Sequence, residues 1–207
     1  MGKPRLRIFA GPNGSGKTTL IHSIKEIVPL GCYINADDIL HQLNTHSYLS
    51  FANYLPAPVS HEKWTAFIKA QRDNSRFNKL ELESLFIEDV FLVKRDTSGL
   101  NSYTAALIAE FFREQLLKAK KSFSFETVMS HPSKVSFIRK SVSNDFKTYL
   151  YFVCTSDVQI NSKRVLNRVQ KGGHPVDEKK IEQRYYRSLE LLRDAFLSVD
   201  RAFVIDS

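Results

Sequence analysis

The chain is short of cysteine, of acidic charge relative to basic, and of long apolar runs, and each shortage removes a class of protein. Only two cysteines, Cys32 and Cys154, occur in 207 residues. Both lie in apolar strand-like runs, so they read as buried thiols of a reducing compartment and not as the staples of a secreted scaffold. No spacing of Cys and His suits a metal site. No apolar run approaches the roughly twenty residues that a membrane span needs. The opening MGKPRLRIFA has no apolar stretch of secretory length, and Leu6 stands where a myristoylation signal wants Ser or Thr. The expected setting is the cytoplasm, with no membrane partner. Repeats and low-complexity linkers are missing too. So is a guanine-reading Asn-Lys-x-Asp motif, because NKLE at 78–81 fails at its last position.

Hydrophobic content of 43% and charged content of 25% are ordinary for a soluble globular protein. The length suits one domain, 1–207, with a full core and an inserted piece. A net charge of +8 fits solubility plus an anionic ligand; it is compatible with nucleic acid without requiring it.

FAGPNGSGKTTL, from Phe9 to Leu20, is the most informative stretch. Gly11 to Thr18 fit G-x-x-x-x-G-K-[ST]. Glycines at Gly11, Gly14 and Gly16 let the backbone turn tightly, so that N–H groups along Asn13, Ser15, Thr18 and Thr19 aim at one phosphate. A following helix adds the positive end of its dipole. Lys17 reaches the β and γ phosphates, and Thr18 is the candidate Mg²⁺ ligand. The context agrees: RLRIFA before the loop reads as a strand, and TTLIHSIKEIV after it carries Leu20, Ile24 and Ile27 at helical spacing.

Five strand-like runs are expected, at 5–10, 32–36, 122–128, 147–155 and 201–206, with helical patterns between them. That alternation predicts an α/β fold with a mostly parallel sheet covered on both faces. The interval between the second and third runs is too long for a simple crossover. Trp64, Phe67 and Ile68 recur at helical spacing, as do Leu82, Leu85, Phe86 and Val93, so 41–100 reads as a helical insertion whose aromatics pack in a core. SGLNSYTAALIAEFFREQLLKAKK is a further helix, breaking at Ser98–Gly99 and ending in lysines that suit its negative end.

Two acidic positions lie at strand ends, where open parallel sheets bind ligands. In YINADDI the strand ends at Asn35, and Asp37 and Asp38 follow. A carboxylate there accepts the proton of an attacking hydroxyl; alternatively it caps the next helix. Asp37, nearer the strand end, is the candidate base and substrate contact. In FSFETV, Glu126 closes a strand and is a candidate for orienting substrate or Mg²⁺, the alternative being a solvated strand end.

Residues 161–192 read as a basic helix–turn–helix lid. Arg164 and Arg168 stand one turn apart and share a face, suited to closing over phosphates. Gly172–Gly173 stop the first helix, and Pro175 and Asp177 start the second. Its apolar stripe is Ile181, Tyr185, Leu189, Leu192 and Phe196, with Arg184 and Arg187 off it. Arg184 is a substrate-binding candidate. His174 at the tip reads as an exposed turn residue.

GPNGSGKTT, INADD, SFSFETVMSH and RVLNRVQKGGHPVDEKKIEQRYYRSLELL together resemble the zeta-toxin family of phosphate-loop kinases, in its zeta-toxin-like ATPase branch. The resemblance implies a phosphate-loop kinase fold with a five-stranded sheet of order 2-3-1-4-5. It also implies ATP and Mg²⁺ as cofactors, and a small-molecule hydroxyl acceptor such as the nucleotide sugar UDP-N-acetylglucosamine. Lys17 matches the family's phosphate-loop lysine and Asp37 its base. Arg164 and Arg168 match, more loosely, the phosphate-stabilising arginines. The best-known members have an arginine near the lid tip and an acidic residue at the position of Asn35, which this chain does not. A separate antitoxin protein is a partner the family brings with it. Two other functions compete: a polynucleotide 5′-hydroxyl kinase, and an ATP-binding switch whose insertion docks a protein. No recognisable nucleic-acid module favours the former.

Overall fold

Short apolar strands alternating with amphipathic helices build an α/β protein, and the computed structural model describes it over residues 2–71, 85–94, 100–172 and 176–207. The elements run β1 (Arg5–Ala10), α1 (Lys17–Ile24), β2 (Cys32–Ile34), α2 (Ala36–His46), β3 (Tyr48–Ser50), α3 (His61–Ala70), β4 (Leu85–Glu88) and β5 (Phe91–Lys94). They continue with α4 (Ser102–Lys118), β6 (Phe123–Thr127), α5 (Ser133–Ser143), β7 (Lys147–Cys154), α6 (Val158–Gln170), α7 (Glu178–Glu190), α8 (Leu192–Leu197) and β8 (Arg201–Asp206). One sheet has five strands in the order β2-β6-β1-β7-β8. Counting only the five strands read from the sequence, that is the expected 2-3-1-4-5; the labels differ because the insertion adds three strands of its own.

The chain divides into two compact units, residues 1–31 with 122–207, and residues 32–121. In the first, β1 is central: it pairs in parallel with β6 (Leu6 beside Phe123) and with β7 (Leu6 beside Thr148). Its last five residues are all buried, as a strand covered on both faces requires. From α5, Phe137 meets Phe123 and Phe125 edge-to-face, an arrangement the ring quadrupoles favour.

In the second unit, α4 is the core helix. Asn101 caps it by accepting the N–H groups of Tyr103 and Thr104, and Lys118 lies in its last turn. Phe111 and Phe112 of α4 meet Trp64, Phe67, Phe51 and Tyr54, so these four aromatics of the insertion pack as expected, whereas Tyr48 is exposed.

The insertion is not wholly helical. Helix α3 carries Trp64, Phe67 and Ile68, but Leu85, Phe86 and Val93 lie in an antiparallel hairpin, β4 with β5, and β3 pairs on the far side of β5. The run LFIEDVFLVK is rich in aromatic and β-branched residues, and Asp89 accepts the left-handed conformation (φ 50°) of a two-residue turn. Leu82 and the Ser98–Gly99 break lie outside the described residues, as do NKLE, Gly173, His174 and Pro175. Neither aspartate caps α2: Asn35 does, its side-chain oxygen accepting the N–H of Asp37 at 2.9 Å. The strand before it stops at Ile34. The stripe beyond α7 is also interrupted, because the helix breaks at Leu191 and leaves Phe196 on the surface.

Candidate active site

The phosphate loop joins β1 to α1. At Gly11 (φ +141°) a Cβ would collide with the Val153 carbonyl, so no side chain fits between the loop and β7. At Gly14 (φ +76°) a Cβ would lie 2.5 Å from the carbonyl oxygen of Asn161, the point where α6 meets the loop. Helix α1 starts at Lys17 with no side-chain cap, so its N-terminus faces the loop as an anion site. The buried oxygens Ser15 Oγ and Asn13 Oδ1 have no hydrogen-bond partner among the described residues. Buried polar atoms are rarely left so, and here two occur in one loop.

Lys17 is only 6% exposed and lies back along the loop, donating to the carbonyls of Gly11 and Pro12 at 2.9 Å each. Its ammonium lies 3.8 Å from Glu126 Oε1. The other carboxylate oxygen of Glu126 accepts from Thr18 Oγ1 at 3.4 Å. Strand β6 brings Glu126 there because Phe9, at the end of β1, pairs with it directly. Glu126 therefore stands with the lysine and the hydroxyl of the loop. A threonine hydroxyl and a carboxylate are hard oxygen donors, the set that Mg²⁺ takes together with water and substrate phosphates, so these residues fit that ion. Among the described residues no cluster of three His, Cys, Asp or Glu could hold a metal unaided.

Helix α6 starts at Val158 under the cap of Asp157. Its buried Asn161 donates from Nδ2 to the carbonyl of Asn13 at 2.6 Å and accepts from the Thr155 hydroxyl. Tyr185 of α7 donates to the Thr155 carbonyl at 2.8 Å. Neither Asn161, Thr155 nor Tyr185 was singled out as a site residue from the sequence. The only available signal was the spacing of Asn161, one turn before Arg164. Arg164 turns to Ser207, donating to its hydroxyl at 3.0 Å and to its carbonyl at 3.3 Å, and a Cβ on Gly16 would lie 2.9 Å from that hydroxyl. Arg164 and Arg168 line one open hollow of about 500 Å³ with Asn167, Lys171 and Gly172, which bears out their shared face. Arg184 is half-buried on α7.

The second unit carries the carboxylate pair. Asp37 and Asp38 are exposed in the first turn of α2. Local burial, and then the charge of Asp37, raise the Asp38 carboxyl above its usual range, against the opposing pull of His41. Burial, with Asp38 nearby, pushes the Tyr54 hydroxyl up to about 12, and its oxygen accepts from Gln42 at 3.5 Å. Cys32 is pushed up to about 11 by burial, and both cysteines are free thiols, half-buried where full burial was expected.

No family model matches the chain, and no curated protein matches it. Solved structures do. A provisionally assigned kinase of Chloroflexus aurantiacus is similar at 12% identity and a TM-score of 0.51, over 100% of this chain and 86% of that one. A chain of the PezAT chromosomal toxin–antitoxin system of Streptococcus pneumoniae is similar at 12% identity and a TM-score of 0.54, over 98% and 67%. These likenesses show the fold alone: a five-stranded α/β sheet whose central strand runs into a phosphate loop. A chain of the Pnkp1/Rnl/Hen1 RNA repair complex shares it at 12% identity and a TM-score of 0.54, with 92% of this chain spanning 45% of that one. Among the described residues no helix is long and apolar enough to cross a membrane.

Proposed function

We propose that this phosphate-loop kinase fold is an ATP-dependent kinase that transfers the γ-phosphate to a hydroxyl of a small molecule, in the manner of the zeta-toxin-like branch. The observation that carries the reading is the grouping of Lys17, Thr18 and Glu126 around a loop whose own buried polar atoms, Asn13 Oδ1 and Ser15 Oγ, have no hydrogen-bond partner among the described residues. A bound polyphosphate supplies acceptors to the α1 N-terminus and to Lys17, which exchanges its carbonyl partners for phosphate oxygens. Thr18 and Glu126 would hold Mg²⁺, which would screen the phosphate charge. Asp37 takes the proton of the acceptor hydroxyl as its oxygen bonds to the γ-phosphorus. The bond from that phosphorus to the bridging oxygen breaks, and ADP leaves. Arg164 and Arg168 stabilise the charge that develops on the transferring group, and Arg184 contacts the acceptor. A nucleotide sugar is the leading acceptor class, and a separate antitoxin is the protein partner this reading brings. A net charge of +8 and the likeness to a chain of an RNA repair complex make a 5′-hydroxyl oligonucleotide the second acceptor to try.

The test incubates the protein with ATP, Mg²⁺ and a metabolite extract, and with a 5′-hydroxyl oligonucleotide in parallel, and follows phosphate gain by mass spectrometry. Lys17→Ala is the control and should lose ATP affinity and turnover while melting near the wild type. ATP binding with no phosphate gained by any acceptor would favour the switch over the kinase. Unchanged affinity in Lys17→Ala would remove the phosphate loop from the account.

A further inference from the structure

We propose that Asn161 is a positioning residue that fixes the tip of the phosphate loop and sets the register of the arginine helix with the same side chain. Asn161 is fully buried on a helix whose next two turns carry exposed arginines, so its amide is not there for solubility. Its Nδ2 donates to the main-chain carbonyl of Asn13, at the tip of the loop, at 2.6 Å. Its Oδ1 accepts from the Thr155 hydroxyl, and Thr155 in turn accepts the Tyr185 hydroxyl on its main-chain carbonyl. The amide thus satisfies a donor on one side and an acceptor on the other, which an apolar residue of the same size cannot do. The contact at Gly14 shows how close the approach is: even a methyl group there would strike the Asn161 carbonyl. Arg164 and Arg168 follow Asn161 at spacings of three and seven, so all three lie on one face of α6. Anchoring Asn161 to the loop therefore fixes where that face points. Tyr185 extends the chain to α7, tying the second helix to the same hinge-like start of the first.

The inference rests on the reading of the loop as a nucleotide site, and the experiment separates the two. Calorimetry with ATP and Mg²⁺, a melt without nucleotide, and steady-state kinetics on a found acceptor are run on the wild type, Asn161→Leu, Thr155→Val and Thr155→Ser. Asn161→Leu takes the amide away from the Asn13 carbonyl and leaves the Thr155 hydroxyl to the Asp157 carbonyl at 3.2 Å, and ATP affinity should fall by about ten- to a hundredfold. Thr155→Val keeps the shape and removes the hydroxyl, with a smaller loss in the same direction. Thr155→Ser keeps the hydroxyl and should restore affinity. Because the arginines lose their register, kcat should fall in Asn161→Leu beyond the change in KM. If Asn161→Leu does not fold, the Thr155 pair carries the test alone. A wild type that binds no ATP would overturn the nucleotide reading itself. A wild type that binds, with Thr155→Val and Asn161→Leu binding equally well and only melting lower, would make Asn161 a packing residue and overturn this inference.

Discussion

The phosphate loop and the start of α2 are both polar turns that follow a strand and open a helix, yet they are built in opposite ways. In the loop, the groups aimed at a ligand are mostly main chain, held by glycines that nothing larger can replace, and the one charged side chain is pinned by two carbonyls. At α2 the cap is Asn35, and the two carboxylates beside it are exposed and differ by one residue in position. A main-chain site tolerates little change in sequence and so writes a pattern. A side-chain site depends on which carboxylate faces what, and it writes almost none.

The sharpest way to break this comparison is at the carboxylates. Asp37→Asn should leave ATP binding near normal and lower phosphate transfer by about two to four orders of magnitude, the usual worth of a positioned base. Asp38→Asn should do much less, and because Asn35 is the cap, neither variant should melt much below the wild type. Paired kinetics and melts decide it; a full loss in Asp38→Asn alone would move the base by one residue, toward the carboxyl that burial and Asp37 already raise.

The arginines of α6 come next. Replacing Arg164 or Arg168 with Ala should lower kcat by about two to three orders of magnitude with little change in KM, as for contacts made in the transition state. Arg164 is held by Ser207, whose hydroxyl lies beside Gly16 of the loop. Normal kcat in both variants would make them surface cations.

The smallest effect sharpens the other side, where main-chain contacts set the structure. The Asp200 carboxylate accepts the Thr148 N–H at 2.7 Å and its hydroxyl at 2.8 Å, closing β8 onto the start of β7. The main-chain bond from Thr148 is the chief reason that its carboxyl lies below the usual range. A group so lowered stabilises the fold above the ordinary carboxylate range, and that contribution is lost as pH falls through its folded pKa. Asp200→Asn should cost about 1 kcal/mol at neutral pH and flatten the acid side of the stability curve, read by urea melts from pH 7 to 3. An unchanged acid limb would show that this contact contributes nothing.

Much of the sheet was legible in advance, because RLRIFA, buried on both faces, and KTYLYFVC, buried on one and half-buried on the other, are apolar runs of strand length bounded by turns. The hairpin at 85–94 was not, since apolar residues at 85, 86 and 93 fit helical spacing as well as they fit two short strands. The partnership of Glu126 with Lys17 and Thr18 was half legible: its place at a strand end was visible, but its neighbours depend on β6 lying beside β1. Asn161 was illegible, because a buried amide inside a basic helix looks like any other polar residue until the loop it touches is known.

The local chemistry of the phosphate loop was determined by the sequence alone, because glycine torsions and a following helix act over a few consecutive residues. Which carboxylate stands by that loop, which amide holds its tip and where the arginines are anchored were decided only by the tertiary structure. The first two contacts join residues over a hundred positions apart and Arg164 meets Ser207 across 43, and nothing in the local pattern encodes such pairings.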